Sequence, residues 1–145
     1  MADSRKTLLV VEDNPINMKL IRCVLSLHDY RILEARDAET GIELAHRHRP
    51  DLILMDIKLP GMDGLSATAI IRRDPHLSGV PIVAVTSYAM LGDAERAIKA
   101  GCTEYMTKPI NTRTLVNTVG RLLKTAGLKI GSAPKARVCQ LGSAG

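Results

Sequence analysis

Short apolar runs that each end in a charged or hydroxyl side chain recur along this chain. Residues 52–55 lead directly into Asp56, and residues 82–85 lead into Thr86 in the same way. The segments between the runs place apolar residues at helical spacing, so strands and helices alternate. Such alternation is typical of a parallel sheet with helices on both faces. We therefore expect an α/β fold whose polar strand ends gather at one edge of the sheet.

The apolar runs predict five parallel strands in a doubly wound sheet. They cover residues 7–11, 30–35, 51–56, 81–86 and 104–107. Five helices follow them, starting after Asn14, Asp37 and Gly64, near Met90, and near Asn111 or Thr112. The expected strand order is the flavodoxin-like 2-1-3-4-5, in which ligands bind outside the carboxyl ends of the strands.

Two helices carry more detailed expectations. The first should bury an apolar stripe formed by Leu20, Ile21, Val24 and Leu25. The fourth, over residues 90–100, has a thin, alanine-rich apolar face and should end at Gly101, which suits a left-handed cap.

The chain is predicted to contain one domain and a tail. A length of 145 residues is enough for a single hydrophobic core. Residues 5–126 form the predicted domain, and residues 127–145 are expected to be a flexible, basic tail that holds three cationic residues and no acid. The net charge of +5 therefore resides largely in this tail and is a weak sign of nucleic-acid binding.

Composition also bears on location. No apolar stretch is long enough to cross a bilayer, and the first residues lack the apolar region of a signal peptide. The three cysteines are odd in number and widely spaced, which favours reduced thiols. We expect a soluble, cytoplasmic protein.

The polar strand ends form a candidate site. Glu12 and Asp13 follow the first strand, Asp56 the third, and Lys108 the fifth. Hard cations such as Mg²⁺ take oxygen ligands, often one or two carboxylates together with a phosphate. A plainer interpretation is that the acidic pair favours the helix dipole, that Lys108 is a solvated turn residue, and that Thr86 is an ordinary strand residue. Asp56 favours the site, because a carboxylate directly after four apolar residues is costly without a partner.

Four motifs resemble those of bacterial response-regulator receiver domains, in order and in spacing. The resemblance runs from about Thr7 to Lys124. The motifs are Glu12-Asp13-Asn14, the segment LILMDIKLPGMDG at residues 52–64, Val85-Thr86-Ser87 and Lys108-Pro109-Ile110.

The resemblance implies a role for each residue of the candidate site. Asp56 would be the phosphoacceptor that attacks a phosphohistidine. Asp13, Asp56 and the backbone carbonyl of Lys58 would bind Mg²⁺, with Glu12 acting through water. Lys108 would contact the phosphoryl oxygens. The chain would then be no conventional enzyme, although it would catalyse its own phosphotransfer and a slow autodephosphorylation.

The same resemblance implies a switch. Thr86 would also contact the phosphoryl group, and its movement with Tyr105 would change the face formed by helix four, strand five and helix five. Ser87 would leave room for the phosphoryl oxygens. Lys58 and Tyr88 would flank the group, where a long cation and an aromatic ring obstruct water, so a long-lived phosphoaspartate is expected.

A narrower resemblance concerns partners. Residues 17–20, 89–90 and 92–93 resemble those of DivK-type single-domain regulators of cell division and polarity. This implies a histidine kinase or histidine phosphotransfer protein as phosphoryl donor and a downstream protein effector or kinase as output, with no nucleic acid and no membrane span.

Three alternatives remain open. The chain could be a receiver fragment of a hybrid kinase or multidomain regulator. An aspartate-nucleophile phosphatase would want an acid two residues after Asp56, where this chain has Lys58. A DNA-binding regulator is disfavoured, because the residues after helix five lack a helical apolar period.

Overall fold

The structure, a computed structural model, describes residues 5–87, 92–128 and 137–138. Within them, the strands are β1 (Thr7–Val11), β2 (Arg31–Ala35), β3 (Leu52–Asp56), β4 (Ile82–Thr86), β5 (Glu104–Thr107) and β6 (Arg137–Val138). The helices are α1 (Pro15–Ser26), α2 (Ala38–His48), α3 (Gly64–Arg72), α4 (Asp93–Ala100) and α5 (Thr112–Leu128), and a 3₁₀ turn covers Pro75–Leu77.

Side-chain caps explain where three of the helices begin. The Asn14 side chain accepts hydrogen bonds from the backbone amides of Ile16 and Asn17, at 2.9 and 3.2 Å. Asp37 caps α2 and Asp63 caps α3 through comparable contacts to the third residue beyond each cap. Because each cap satisfies amides that the helix itself leaves unpaired, it fixes the residue at which the helix starts.

The strands form one parallel sheet in the order β2-β1-β3-β4-β5-β6. The predicted order 2-1-3-4-5 and the five helices are confirmed. The sheet also has a sixth strand that the sequence did not predict, in which Arg137 lies opposite Glu104 and Val138 opposite Tyr105.

Two apolar layers enclose the sheet. Alternate residues of the strands point to opposite faces, so Leu9 and Ile53 belong to a cluster with α2, α3 and α4, while Leu8 and Leu52 belong to a cluster with α1 and α5. The strands β3 and β4 are buried along their whole length. This double covering holds the carboxyl ends of β1, β3, β4 and β5 at one rigid edge.

The structure corrects several details of the sequence prediction. In α1, Leu20 is 39% exposed rather than buried, and Met18 takes its place in the core. The helix α4 begins at Asp93, and the predicted start at Met90 lies outside the described residues. The helix α5 extends to Leu128, so it passes the predicted boundary at residue 127. None of the described helices is long and apolar enough to cross a membrane.

Candidate functional site

Three carboxylates meet at the carboxyl ends of β1 and β3. Oxygen atoms of Glu12, Asp13 and Asp56 all lie within 4.8 Å of one another. Glu12 is 2% exposed and Asp56 is 3% exposed, whereas Asp13 is exposed. Two buried carboxylates so close together are costly unless cations balance them.

Lys108 supplies one such cation from the end of β5. Its Nζ lies 3.0 Å from Glu12 Oε1 and 3.1 Å from Asp56 Oδ2, and its side chain is 14% exposed. The backbone amide of Lys108 donates to the Thr86 carbonyl at 2.7 Å, which fixes the point where the lysine leaves the sheet. We call Glu12, Asp13, Asp56 and Lys108 the acidic pocket.

Backbone amides orient the two buried carboxylates. The amide of Lys58 donates to Asp56 Oδ1 at 3.1 Å, and the amide of Asn14 donates to Glu12 Oε2 at 3.1 Å. In each case the donor is two residues beyond the acid, a local turn that the strand end allows. The side chains are therefore held in place by chain segments that the rigid sheet positions.

The environment changes the acidity of the pocket. Burial, together with the negative charge of Glu12, raises the pKa of Asp56 to about 7, although Lys108 opposes the shift. Burial alone would lower the pKa of the Lys108 ammonium, but its hydrogen bond to Glu12 and the charges of Asp56 and Glu12 outweigh burial and raise it. The single ammonium of Lys108 therefore does not balance all the carboxylates of the pocket. A bound cation would lower the pKa of Asp56 and keep this carboxylate ionised.

Gly64 brings α3 close to the pocket, and sequence reasoning did not identify it. A Cβ atom at Gly64 would overlap the backbone carbonyl oxygen of Asp56. The Gly64 amide also donates to the Ile57 carbonyl at 2.8 Å. Glycine is therefore required here, because two backbone segments approach each other closely. The only signal of this approach in the sequence is the glycine itself, directly after the capping Asp63.

The other predicted site residues lie around the pocket at different depths. Thr86 is 1% exposed at the end of β4, the strand next to β3, and Ser87 beyond it is exposed. Lys58 is exposed. Tyr88 lies outside the described residues.

Tyr105, the second predicted switch residue, is buried in β5. It is 5% exposed and packs in the cluster that includes Ala97 of α4 and Cys102. It pairs in register with Ala84 of β4, two residues before Thr86. The tyrosine therefore lies beside the strand that ends at Thr86 and shares an apolar cluster with α4.

The acidic pocket suits a small hard cation. Its donors are carboxylate oxygens, which Mg²⁺ prefers, and the buried pair has excess negative charge. Asp13 faces solvent, so an ion has a route into the cluster. An anionic group could then be held between such an ion and the Lys108 ammonium.

The chain belongs to the response regulator receiver domain family, whose model matches residues 8–120. It is therefore a component of two-component signalling and not a member of a conventional enzyme family. Histidine kinases or phosphotransfer proteins are the partners of receiver domains as a class.

Two relatives with the same name are similar to this chain over most of its length. A polar-differentiation response regulator, DivK, from Brucella anthropi is 41% identical over 121 residues, which cover 83% of this chain and 98% of the relative. The Brucella ovis protein of the same name is 40% identical with the same coverage.

Solved structures agree on the fold. The receiver domain of a Pseudomonas aeruginosa sensor histidine kinase, which has a magnesium ion coordinated in its active-site cleft, is 37% identical with a TM-score of 0.78, covering 83% of this chain and 99% of that one. A CheY-like receiver domain protein from Methanospirillum hungatei is 27% identical with a TM-score of 0.82, covering 88% and 100%.

Proposed function

We propose that this chain accepts a phosphoryl group on Asp56 from a phosphohistidine of a histidine kinase or phosphotransfer protein. The observation that carries the proposal is the acidic pocket: a buried aspartate 3.1 Å from a lysine ammonium, within a cluster of three carboxylates. A buried acid with a perturbed pKa beside a cation is the arrangement expected of a reactive carboxylate.

The transfer is a displacement at phosphorus. A carboxylate oxygen of Asp56 forms the new O–P bond as the N–P bond to the donor imidazole breaks. The imidazole leaves with the bonding electron pair and takes up a proton from water. The ammonium of Lys108 holds the phosphoryl oxygens, and the amide of Lys58 keeps Asp56 oriented for attack.

Mg²⁺ fits the pocket as the cofactor. Asp13, Asp56 and the backbone carbonyl of Lys58 would hold it, with Glu12 acting through water. When bound, the ion supplies the positive charge that lets several carboxylates and a phosphoryl group share one site. The magnesium coordinated in the Pseudomonas relative supports this choice of metal.

The phosphoryl group signals through Thr86 and Tyr105. The Thr86 hydroxyl contacts the phosphoryl oxygens, and the change passes along β4 and β5 to Tyr105 and the face formed by α4, β5 and α5. Ser87 keeps the approach open, while Lys58 and Tyr88 limit access of water and so lengthen the life of the phosphoaspartate. Phosphorylation then biases a conformational equilibrium that already exists.

The biological setting is control of the cell cycle or cell polarity in the cytoplasm, with a protein effector or kinase as output. The names of the Brucella relatives support it. The alternative of a receiver from a hybrid kinase is favoured by one observation, the likeness to the receiver domain of a Pseudomonas sensor histidine kinase at 37% identity. A panel of purified histidine kinases would distinguish the two settings. The kinase that transfers its phosphoryl group to this chain fastest identifies the pathway.

Intact-mass measurement after incubation with acetyl phosphate and Mg²⁺ tests the phosphoacceptor. Wild type should gain one phosphoryl group, and Asp56→Asn should gain none. Asp63→Asn is the matched control, because asparagine still caps α3 and the exposed acid lies outside the pocket. A phosphoryl gain by Asp56→Asn, or none by wild type, would contradict the assignment.

A further inference from the structure

The amino-terminal ends of the strands, at the edge of the sheet opposite the acidic pocket, carry a group of cations. Arg5 and Lys6 precede β1, Arg31 is the first residue of β2, and Arg49 lies between α2 and β3. All four are exposed. Because β2, β1 and β3 are neighbours, these cations lie along a row about 10 Å wide. We call Arg5, Lys6, Arg31 and Arg49 the basic rim.

Backbone hydrogen bonds hold the basic rim together. The amide of Arg31 donates to the Lys6 carbonyl at 2.9 Å, and the amide of Asp51 donates to the Thr7 carbonyl at 2.8 Å. The Asp51 carboxylate accepts from the Thr7 amide at 2.7 Å and is only partly exposed. Asp29, in the turn before β2, is exposed. Against these two acids, the four cations of the rim leave an excess of positive charge.

Helix dipoles do not account for the rim. Arg5, Lys6 and Arg31 lie before or at the start of a strand, and the dipole favours cations only in the last turn of a helix. Arg49 caps α2 in the left-handed region at φ 47°, a conformation that favours glycine. Arg47 and two histidines already place basic residues in the last turn of this helix. The sequence therefore keeps a cation at residue 49 at a conformational cost, which is typical of a functional residue.

An exposed leucine lies beside the rim. Leu27, the C-cap of α1, is 81% exposed and is four residues before Arg31. Residues 28–30 lead from the end of α1 to the start of β2, so the leucine lies at the same end of the molecule as the rim. Cations next to an exposed apolar side chain are typical of surfaces that bind anionic bilayers. The cations attract the headgroups, and the apolar side chain enters the boundary of the acyl chains.

The two ends of the sheet differ in charge. The acidic pocket lies at the carboxyl ends of the strands, where Asp37 and Asp63 also cap their helices. Strands of five residues separate this end from the basic rim by about 16 Å. On a negatively charged surface, this asymmetry directs the rim toward the surface and the acidic pocket toward solution.

We propose that the basic rim and Leu27 form a peripheral binding site for an anionic lipid bilayer. The bound domain keeps its acidic pocket open to other proteins, and the binding requires no phosphoryl group. Nucleic acid is a less suitable polyanion, because its phosphates gain nothing from an exposed leucine. The chain also has no Phe and no Trp on which bases could stack.

Cosedimentation of the full chain with lipid vesicles tests the site. Wild type should bind phosphatidylcholine vesicles that contain about 30% phosphatidylglycerol more tightly than pure phosphatidylcholine vesicles, and added salt should weaken the binding. Arg31→Gln and Arg49→Gly should each bind about fivefold more weakly. Arg113→Gln is the matched control, because it removes an exposed cation at the start of α5, at the other end of the sheet. Equal binding to the two kinds of vesicle, or an equal loss in the control, would overturn the proposal.

Two of the variants separate lipid binding from folding and from general attraction to polyanions. Arg49→Gly should melt at or above the wild-type temperature, because glycine suits the left-handed conformation. Leu27→Gln keeps the net charge and should bind anionic vesicles about threefold to tenfold more weakly, because apolar contact is lost. Vesicle binding by Leu27→Gln equal to that of wild type, or tighter wild-type binding to duplex DNA than to anionic vesicles, would overturn the lipid site.

Discussion

The acidity of Asp56 predicts a pH dependence for metal binding. A cation binds the ionised carboxylate, and the pKa of Asp56 is raised to about 7 by burial and by Glu12. The apparent Mg²⁺ affinity should therefore be constant at pH 8 and above and fall about tenfold per unit below pH 7. Calorimetric titration from pH 6 to pH 8.5 would measure it.

Asp13→Ala is the companion variant for that titration. Removing this exposed carboxylate should weaken Mg²⁺ binding at every pH, because one of the proposed ligands is lost, and the midpoint should remain near that of wild type. An affinity equal to that of wild type would exclude Asp13 as a ligand. A flat profile through pH 7 would show that Asp56 does not titrate there.

The same pKa has a consequence for stability without metal. The Asp56 pKa rises from an ordinary 3.8 to about 7 in the folded protein. Between these values the folded state holds more protons than the unfolded state, so stability falls as the pH rises from about 4 to about 7 and levels off above that. In EDTA, Asp56→Asn should melt about 3–6 °C above wild type at pH 8, and the difference should shrink steadily as the pH falls toward 4. A difference independent of pH would refute this reasoning.

The sequence predicts the position of some site residues and not of others. The location of Glu12, Asp56 and Lys108 at one edge of the sheet could be predicted, because each lies at or directly after the carboxyl end of a strand. Gly64 could not, because its importance comes from close contact with the Asp56 carbonyl, eight residues earlier in the chain. Sequence periodicity carries no information about such close approach.

At the scale of elements, Thr86 should couple the pocket to β5 and α4. A charge-assisted hydrogen bond from its hydroxyl to the phosphoryl group is worth roughly 1.5–3 kcal/mol, enough to shift an equilibrium about tenfold to a hundredfold. Thr86→Ala should accept the phosphoryl group and yet show much smaller beryllofluoride-induced amide shifts in α4, β5 and α5. A full wild-type response in this variant would mean that another contact drives the switch.

The start of α3 should tolerate no side chain. Gly64→Ala must displace the backbone at Asp56, at an expected cost of about 1–3 kcal/mol in the free energy of unfolding and with slower phosphorylation. Gly79→Ala is the matched control, since a Cβ atom there meets nothing within 4 Å. Urea denaturation measures the cost, and equal stability of the two variants would show that α3 can shift freely.

Helix faces were harder to predict than strands. The strands are visible in the sequence as short continuous apolar runs, because both faces of the sheet are covered, and their predicted order was confirmed. The predicted stripe of α1 was partly wrong, because Leu20 is exposed. Ile16 and the cap residue Leu27 are exposed as well, so this helix has apolar residues on both sides. When both sides of a helix are apolar, periodicity alone cannot show which one is buried.

At the scale of the whole molecule, we propose a domain boundary within the last turn of α5. This helix packs Leu115, Val119 and Leu122 into the core, and Arg121 Nη2 lies 2.6 Å from Glu104 Oε1 of β5. We propose residues 5–126 as the receiver unit and residues 127–145 as a basic tail. The strand β6 departs from the expected flexible tail, and its pairing with β5 depends on long-range contact that local sequence does not encode.

Truncation after Leu128 removes the strand β6 and leaves the receiver unit with the whole of α5. Two residues of β6 contribute few backbone hydrogen bonds, and the described core clusters draw on no residue beyond Leu123. The truncated protein should therefore melt within about 3 °C of the full chain and accept the phosphoryl group equally well. Val138→Pro in the full chain removes one amide donor of β6 and should reproduce this small change. A large fall in melting temperature on truncation, absent in Val138→Pro, would instead mean that the tail stabilises the domain through contacts other than strand pairing.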